Sequence, residues 1–177
     1  MDRILLGNAI SLLGAVFMVA SGLAAEQKSV LRLQCVQFTT MAAGNLLLGG
    51  ITGCFSGVVS IARNLACFYI PYTWPCKLAF CAVQTLLAAA VSGTDWIGWL
   101  PILAAVLFTC LLDTRNPLRF KAVVIVCQLL WSVYDLSLQN YVAAAFDGFT
   151  ILSNLCGSAR ILLGRHRKRA SCGQAKP

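Results

Sequence analysis

Charged residues are scarce in this chain. They make up 11% of its 177 residues, whereas about a quarter of the residues in an ordinary soluble domain are charged. Hydrophobic residues account for 59%, and the mean hydropathy is +0.78. This balance excludes a typical water-soluble globule and predicts an all-α protein that crosses a membrane several times.

The side chains that usually carry catalysis are also few. There is one histidine, His166, and there are six acidic residues in total. We find neither paired carboxylates nor an activated nucleophile, so a hydrolase or another enzyme acting on lipid is not expected. The nine cysteines lie mainly inside apolar runs and form no C-x-x-C pair, which argues against a disulfide framework or a metal site. We therefore predict a protein that is not an enzyme and has no cofactor.

What the chain has instead is apolar runs of about the length that a bilayer requires. Seven runs follow one another, at residues 4–24, 30–49, 51–70, 78–93, 96–112, 122–138 and 141–162. The connections between them are too short for an additional domain. Residues 1–165 are therefore predicted to form a single seven-helix membrane domain, and residues 166–177 a disordered basic tail.

Basic residues occur at alternate connections. The first, third and fifth connections and the tail contain Lys or Arg, whereas the second, fourth and sixth contain neither. Because basic loops stay on the cytoplasmic side, the N-terminus is predicted to lie outside and the C-terminus inside. The net charge of +8 is thereby explained by topology, with anionic lipid headgroups as the expected partner of the basic tail and no nucleic-acid partner.

Two short matches indicate an internal repeat. The pair Leu31-Arg32 near the start of the second run corresponds to Leu118-Arg119 at the sixth, 87 positions later, and Asn64 in the third run corresponds to Asn154 in the seventh, 90 positions later. The difference is interpreted as a small insertion. Helices one to three (about 4–70) would then be repeated as helices five to seven (about 96–162), with helix four (about 78–93) as a linker. Such a 3+1+3 order gives two parallel copies.

The third run carries a polar stripe. Ser60 and Asn64 are four residues apart, so they lie on one face of a helix, and Arg63 lies beside them. An arginine within the membrane almost always faces other helices or a wet cavity. This face is therefore expected to point into the bundle.

The seventh run has the matching features. Thr150 and Asn154 take the places of Ser60 and Asn64, and Asp147 lies two turns before Asn154 on the same face. Because an isolated charge there would be unfavourable, an ion pair between Arg63 and Asp147 is predicted at the interface of the two halves.

This arrangement resembles the seven-helix SWEET, PQ-loop and MtN3-like transporters. The resemblance implies that an asparagine of the third helix and one of the seventh, here Asn64 and Asn154, face a central pocket. The chain departs from the SWEET pattern of helix prolines, because only helix five has one, Pro101, and Gly14 stands at the matching place in helix one. A buried Arg63 also departs from it and favours an anionic or zwitterionic substrate over a neutral sugar.

A closer resemblance is to the bacterial inner-membrane proteins called Imp-YgjV. It rests on Ala62-Arg63-Asn64 after Gly57, on the start of helix two and on the chain length. This family resemblance covers about residues 1–165 and implies a location in the bacterial inner membrane.

The expected function is transport of a small polar solute through a pocket between the two halves. Nine side chains are predicted to form the binding site: Asn64, Asn154, Arg63, Asp147, Ser60, Thr150, Trp131, Gln128 and Asn45. The alternative is a non-transporting membrane protein that acts as a subunit or interaction partner. In that case the asparagines hold helices together and the ion pair is a static lock. A homo-oligomer is compatible with both hypotheses.

Overall fold

The computed structural model describes residues 2–23, 27–92, 95–111 and 116–173, and only the backbone at 21–23, 27–28, 30, 92 and 165–173. Within these ranges the chain forms seven α-helices and no strand, which confirms the all-α prediction there. The helices are α1 (Arg3–Leu23), α2 (Gln27–Leu47), α3 (Ile51–Tyr69), α4 (Trp74–Ser92), α5 (Trp96–Leu111), α6 (Pro117–Ser137) and α7 (Tyr141–Gly173). Predictions for the connection residues 24–26, 93–94 and 112–115 and for the last four residues fall outside the described residues.

Four of the described helices, α1, α3, α4 and α6, are long and apolar enough to cross a membrane. Helix α5 is apolar but has only 16 residues. The outside of the bundle is apolar, with Leu5, Leu86 and Leu103 more than half exposed, whereas many buried side chains are polar. This distribution is the reverse of a soluble protein and suits a lipid environment, in which the polar groups must bind each other inside the bundle.

Helix α7 differs from the prediction at its end. Its backbone continues to Gly173, so residues 166–173 are helical where a disordered tail was expected. Arg, Lys and Ala favour helix, and adding residues to an existing helix avoids a new nucleation step.

The helices pack in two triplets. Helices α1, α2 and α3 contact one another in order, as do α5, α6 and α7, and α4 lies between α3 and α5. The triplets meet through two helix pairs, α1 with α7 and α3 with α5. Because the connections are short, α1, α3, α5 and α7 all begin at one end of the bundle, which we call the N-terminal end.

The same local geometry occurs twice in the chain, 90 positions apart. Helices α2 and α6 begin at Gln27 and Pro117 and end at Leu47 and Ser137. The offset of 90 therefore holds at both ends of these helices. The offset predicted near Leu31 was 87, whereas the bounds of these two helices differ by 90.

The connections after these helices also match. Gly49 and Gln139 both have positive φ, +85° and +58°. The amide of Gly50 donates to the carbonyl of Asn45 (2.7 Å), and the amide of Asn140 donates to that of Asp135 (2.9 Å). Asn45 and Asp135 thus have the same place in two equivalent turns.

Candidate functional site

A cavity of about 680 Å³ lies between the two triplets. This volume falls in the range of small-molecule sites. All helices except α4 contribute to its wall. Its polar and charged lining residues are Gln34, Gln37, Ser60, Arg63, Lys121, Gln128, Thr150, Ser153 and Asn154. Aromatic rings, among them Phe108, Trp131 and Phe146, form much of the remaining wall.

Arg63 is held in this wall by neutral groups. Its Nη1 donates to Thr109 Oγ1 (3.2 Å), and its Nε and Nη2 donate to Asn64 Oδ1 (3.3 and 3.1 Å). The guanidinium carbon lies 5.1 Å from the centre of the Phe108 ring, which is close enough for a cation–π contact. The side chain is 2% exposed, and none of these partners is negatively charged.

Tyr72, in the connection between α3 and α4, binds the backbone of Thr109, the residue whose hydroxyl accepts from Arg63. Its hydroxyl donates to the carbonyl of Thr109 at 3.0 Å. Burial raises the pKa of Tyr72 to about 12, so the hydroxyl is neutral at physiological pH. The Thr109 backbone is therefore fixed by a donor that keeps its proton.

Lys121 is the second cation of the cavity. Its Nζ lies 3.5 Å from Asn154 Oδ1, and its side chain passes so close to Gly157 that a Cβ there would be 2.7 Å from Nζ. Among the described residues, the cavity wall has two charged side chains, Arg63 and Lys121, and both are positive. The cavity is therefore an electropositive site.

Six of the nine predicted site residues line the cavity: Arg63, Ser60, Asn154, Thr150, Trp131 and Gln128. Asn64 does not, because it lies behind the arginine, fully buried, and donates from Nδ2 to Gln34 Oε1 (3.2 Å). It orients Arg63 instead of facing the cavity.

The predicted ion pair between Arg63 and Asp147 is absent from the described residues. Three N–H groups of the arginine bind Thr109 and Asn64, and Asp147 Oδ2 has no hydrogen-bond partner. Arg63 and Thr109 are 12 and 13 residues into parallel helices, whereas Asp147 is six residues into α7. The arginine finds an acceptor at its own depth, while Asp147 lies about 9 Å nearer the N-terminal end.

Asp147 and Asn45 belong to a separate set of polar groups, all buried except the half-buried Asn8, which we call the N-terminal polar layer. It consists of Asn8, Asn45, Tyr134, Asp135, Asn140 and Asp147. Asn140 Nδ2 donates to Asn45 Oδ1 (3.3 Å) and lies 3.5 Å from Asp135 Oδ1. Asn8 links α1 to α7 by accepting from the amide of Val142 (3.0 Å). This layer joins the two triplets at the N-terminal end, so Asn45 is part of it and does not line the cavity.

Sequence reasoning missed four polar residues of the wall: Gln34, Gln37, Lys121 and Ser153. Lys121 was assigned to membrane topology alone. Gln34 and Gln37 are three residues apart and therefore share a face of α2, a pattern that could have identified them. Gln34 also binds Asn64, which places it next to the arginine.

Comparison with known protein families gives a match to Imp-YgjV, described as a bacterial inner membrane protein, over residues 5–164. The chain belongs to this family. The Imp-YgjV match and the apolar helices together place the protein in the bacterial inner membrane. Searches of curated proteins and of solved structures find no match. The likeness to SWEET and PQ-loop transporters stays a prediction.

Proposed function

We propose that this Imp-YgjV protein is a SWEET-like carrier that moves a small anionic solute across the inner membrane. The observation that carries the proposal is the central cavity, whose charged lining residues, Arg63 and Lys121, are both cations. A cavity of this kind inside an apolar bundle offers a polar path that lipid does not.

The charge of the cavity selects the substrate class. A guanidinium has five N–H donors, and the bonds from Arg63 to Thr109 and Asn64 use three of them. Two donors are left for a ligand, and the neutral partners do not compensate the buried charge. A carboxylate or phosphate group would supply both the acceptors and the negative charge. A neutral sugar would supply only acceptors.

The wall of the cavity has the pairing expected of a carrier built from two copies. Six pairs of lining positions are 90 residues apart: Met18 and Phe108, Gln34 and Val124, Gln37 and Cys127, Phe38 and Gln128, Ser60 and Thr150, and Arg63 and Ser153. The two contacts between the triplets are also equivalent under this repeat. If α1 corresponds to α5 and α3 to α7, the contact of α1 with α7 corresponds to the contact of α5 with α3. These relations support a 3+1+3 parallel repeat with the substrate between the halves.

The two ends of the cavity differ. The wall extends to Phe120 and Lys121, which lie in the first turn or so of α6, at the end opposite the N-terminal one. At the N-terminal end, the polar layer joins the triplets through Asn8, Asn45 and Asn140. An alternating-access carrier needs such a state, with access from one side and a closed layer on the other.

Ligand-dependent thermal stability tests the substrate class. The purified protein in detergent is heated with labelled mono-, di- and tricarboxylates, sugar phosphates, amino acids and neutral hexoses. An anion that binds the folded state raises Tm, and we expect stabilisation by anions and none by hexoses. Arg63→Gln and Lys121→Gln should abolish it. Arg119→Gln is the matched control, because Arg119 is two residues from Lys121 but exposed and outside the cavity wall.

Transport is then measured in proteoliposomes with the most strongly stabilising anion. We expect uptake that falls at least tenfold in Arg63→Gln and Asn154→Ala and is unchanged in Arg119→Gln. Stabilisation by hexoses alone would contradict the anion assignment. Absence of uptake for every solute in the panel would instead favour a non-transporting membrane subunit.

A further inference from the structure

Two carboxyl groups that the cavity does not use lie on neighbouring helices, close enough to act on each other electrostatically. Asp135 on α6 and Asp147 on α7 are 4% and 6% exposed. These helices run antiparallel, and side chains in a helix lean toward its own N-terminus. By this rule Asp135 leans into the bundle and Asp147 leans toward the N-terminal end, which brings their levels along the bundle axis closer together. Asp135 also acts electrostatically on Asp147, and the two carry the same sign of charge.

Two buried side-chain oxygens at about the level of this pair have no hydrogen-bond partner among the described residues. They are Asp147 Oδ2 and Ser11 Oγ, and Ser11 is fully buried. The hydrogen bond between the Val142 amide and Asn8 fixes α1 against α7. Ser11 is three residues beyond Asn8, and Asp147 is five beyond Val142, so the two oxygens lie at levels that differ by only about 3 Å.

Among the described residues no cation acts on the pair, and Arg3, at the N-terminal end of α1, is exposed. The polar groups at this level are neutral: Asn8 and Ser11 on α1, and Asn45 on α2, which shares Asn140 with Asp135. Tyr134 beside Asp135 is bonded to Thr52 and Gly53, and Cys54 on α3 is a thiol near Tyr134. Lys121 is 14 residues away along α6, which is about 21 Å. Two ionised carboxylates enclosed this way would repel each other without compensation, so one of them should bind a proton.

A metal ion fits the same place poorly. Hard cations such as Ca²⁺ and Mg²⁺ take six or more oxygens. Here the amide of Asn140 already lies between Asn45 Oδ1 and Asp135 Oδ1, so a donor occupies the acceptors that a metal would need. Among the described side chains, Asp147 Oδ2 and Ser11 Oγ are the oxygens left over. One proton on the pair requires no more than these.

The fold does not require the two acids. Asn45 stands at the place equivalent to Asp135 and makes the same backbone contact, and Gly57 stands 90 residues before Asp147. A neutral amide at the first position is therefore compatible with this helix connection. The carboxyl pair is a special feature of the second triplet.

We propose that Asp135 and Asp147 form a proton-binding site in the N-terminal polar layer. A proton from water binds one carboxylate, and the resulting O–H donates to the other, which leaves one negative charge shared by the pair. Release returns the proton to water and restores two like charges in the layer that joins the triplets. Resting on the proposed transport function, this site would couple anion movement to a proton.

Infrared difference spectroscopy tests the site without any substrate. The purified protein in nanodiscs is titrated with acid and base while the C=O stretch of protonated carboxyl groups is followed. We expect a band that titrates in the wild type and in the control Asp2→Asn, whose side chain is exposed. The band should disappear in the Asp135→Asn/Asp147→Asn double variant. Each single variant should shift the midpoint of the band's titration, because the like-charged neighbour has been removed.

If the double variant does not fold, the titration midpoints of the single variants and of Asp147→Glu still test the site. A titration identical to the wild type in all of them would overturn the proposal.

Coupling is measured in the proteoliposomes with the anion chosen by thermal stabilisation. A gradient of one pH unit should change the steady-state accumulation by up to about tenfold for one proton per anion. Asp147→Asn should remove this response, and Asp2→Asn should keep it. Uptake that ignores the gradient would overturn coupling and leave the carrier proposal intact. An infrared band that depends on the pair, combined with no uptake at all, would refute the carrier and retain the proton site.

Discussion

Tyr134 caps the N-terminus of a helix that is distant in sequence, whereas helix N-termini are usually capped by a Ser, Thr, Asp or Asn at the helix end itself. Helix α3 begins at Ile51, and its N-cap residue, Gly50, has no side chain to bind the first free N–H groups. The hydroxyl of Tyr134, from α6, accepts from the amide of Gly53 (2.9 Å) and lies 3.2 Å from Thr52 Oγ1. One side chain therefore caps α3 and joins it to the other triplet.

Replacing this hydroxyl tests the capping role. Tyr134→Phe leaves the Gly53 amide buried and unpaired, so we expect a loss of about 1–3 kcal/mol in the free energy of unfolding. Thermal unfolding in detergent measures it. Tyr141→Phe is the control, because Tyr141 is 59% exposed. An equal Tm for the two variants would contradict the cap.

A glycine at position 53 is needed for the same contact. A Cβ there would lie 2.7–2.9 Å from the Tyr134 ring and hydroxyl. Gly53→Ala should therefore destabilise the protein by about as much as other overpacked positions, 1–3 kcal/mol. The double variant Gly53→Ala/Tyr134→Phe should lose less than the sum of the two, because they disturb one contact. Strict additivity in the same unfolding assay would show that the two residues act separately.

At the scale of helices, the two connections with positive φ form a natural comparison. Gly49 adopts φ +85° without strain because glycine has no Cβ. Gln139 adopts φ +58° at the equivalent place. This backbone conformation costs a residue with a Cβ about 1–2 kcal/mol. The carbonyl of Gln139 accepts from Asn8 Nδ2 at 2.9 Å, and this backbone bond does not depend on the side chain.

We therefore expect Gln139→Gly to raise the free energy of unfolding by roughly 0.5–1 kcal/mol, since part of the relief is offset by the greater freedom of glycine in the unfolded chain. Gly49→Ala should lower it, although a Cβ at position 49 meets nothing within 4 Å. Equilibrium unfolding of the two variants in the same detergent gives both values. A destabilising Gln139→Gly would show that the glutamine side chain has a role of its own.

The sequence predicted the helices better than it predicted their contacts. The seven apolar runs were sufficient because the bilayer fixes their length and the loops are short. The partner of Arg63 was predicted wrongly because helical periodicity gives the face of a residue, and depth must be known as well to choose between Thr109 and Asp147. Lys121 was overlooked because its position beside a short loop already had an explanation. The bond between Tyr134 and Gly53 joins residues 81 positions apart, and no local pattern indicates it.

The whole molecule combines an electropositive cavity, a polar layer at one end and basic residues at the other. Arg32, Arg119 and Arg160 are exposed, and they lie near the start of α2, the start of α6 and the distal part of α7. All three positions are at the end opposite the N-terminal one, as alternating helix directions require. The sequence rule for basic loops predicts that this end lies in the cytoplasm.

Reporter fusions at the C-terminus test this orientation. We expect a fluorescent protein fused there to fold and fluoresce, and an alkaline phosphatase, which is active only when exported, to be inactive. A phosphatase inserted between Leu138 and Asn140, at the opposite end, should be active if the fused chain still inserts. As a control, Arg32→Gln should leave the orientation unchanged, because the other basic residues at that end remain.

The orientation of the C-terminus also fixes the direction of the cavity, because the cavity wall reaches Lys121 at the basic end. With a cytoplasmic C-terminus, Arg63 and Lys121 would meet solute from inside the cell, and Asp135 and Asp147 would lie toward the outside, where a carrier driven by protons must take them up. An active C-terminal phosphatase would reverse both assignments and place the acid pair on the cytoplasmic side.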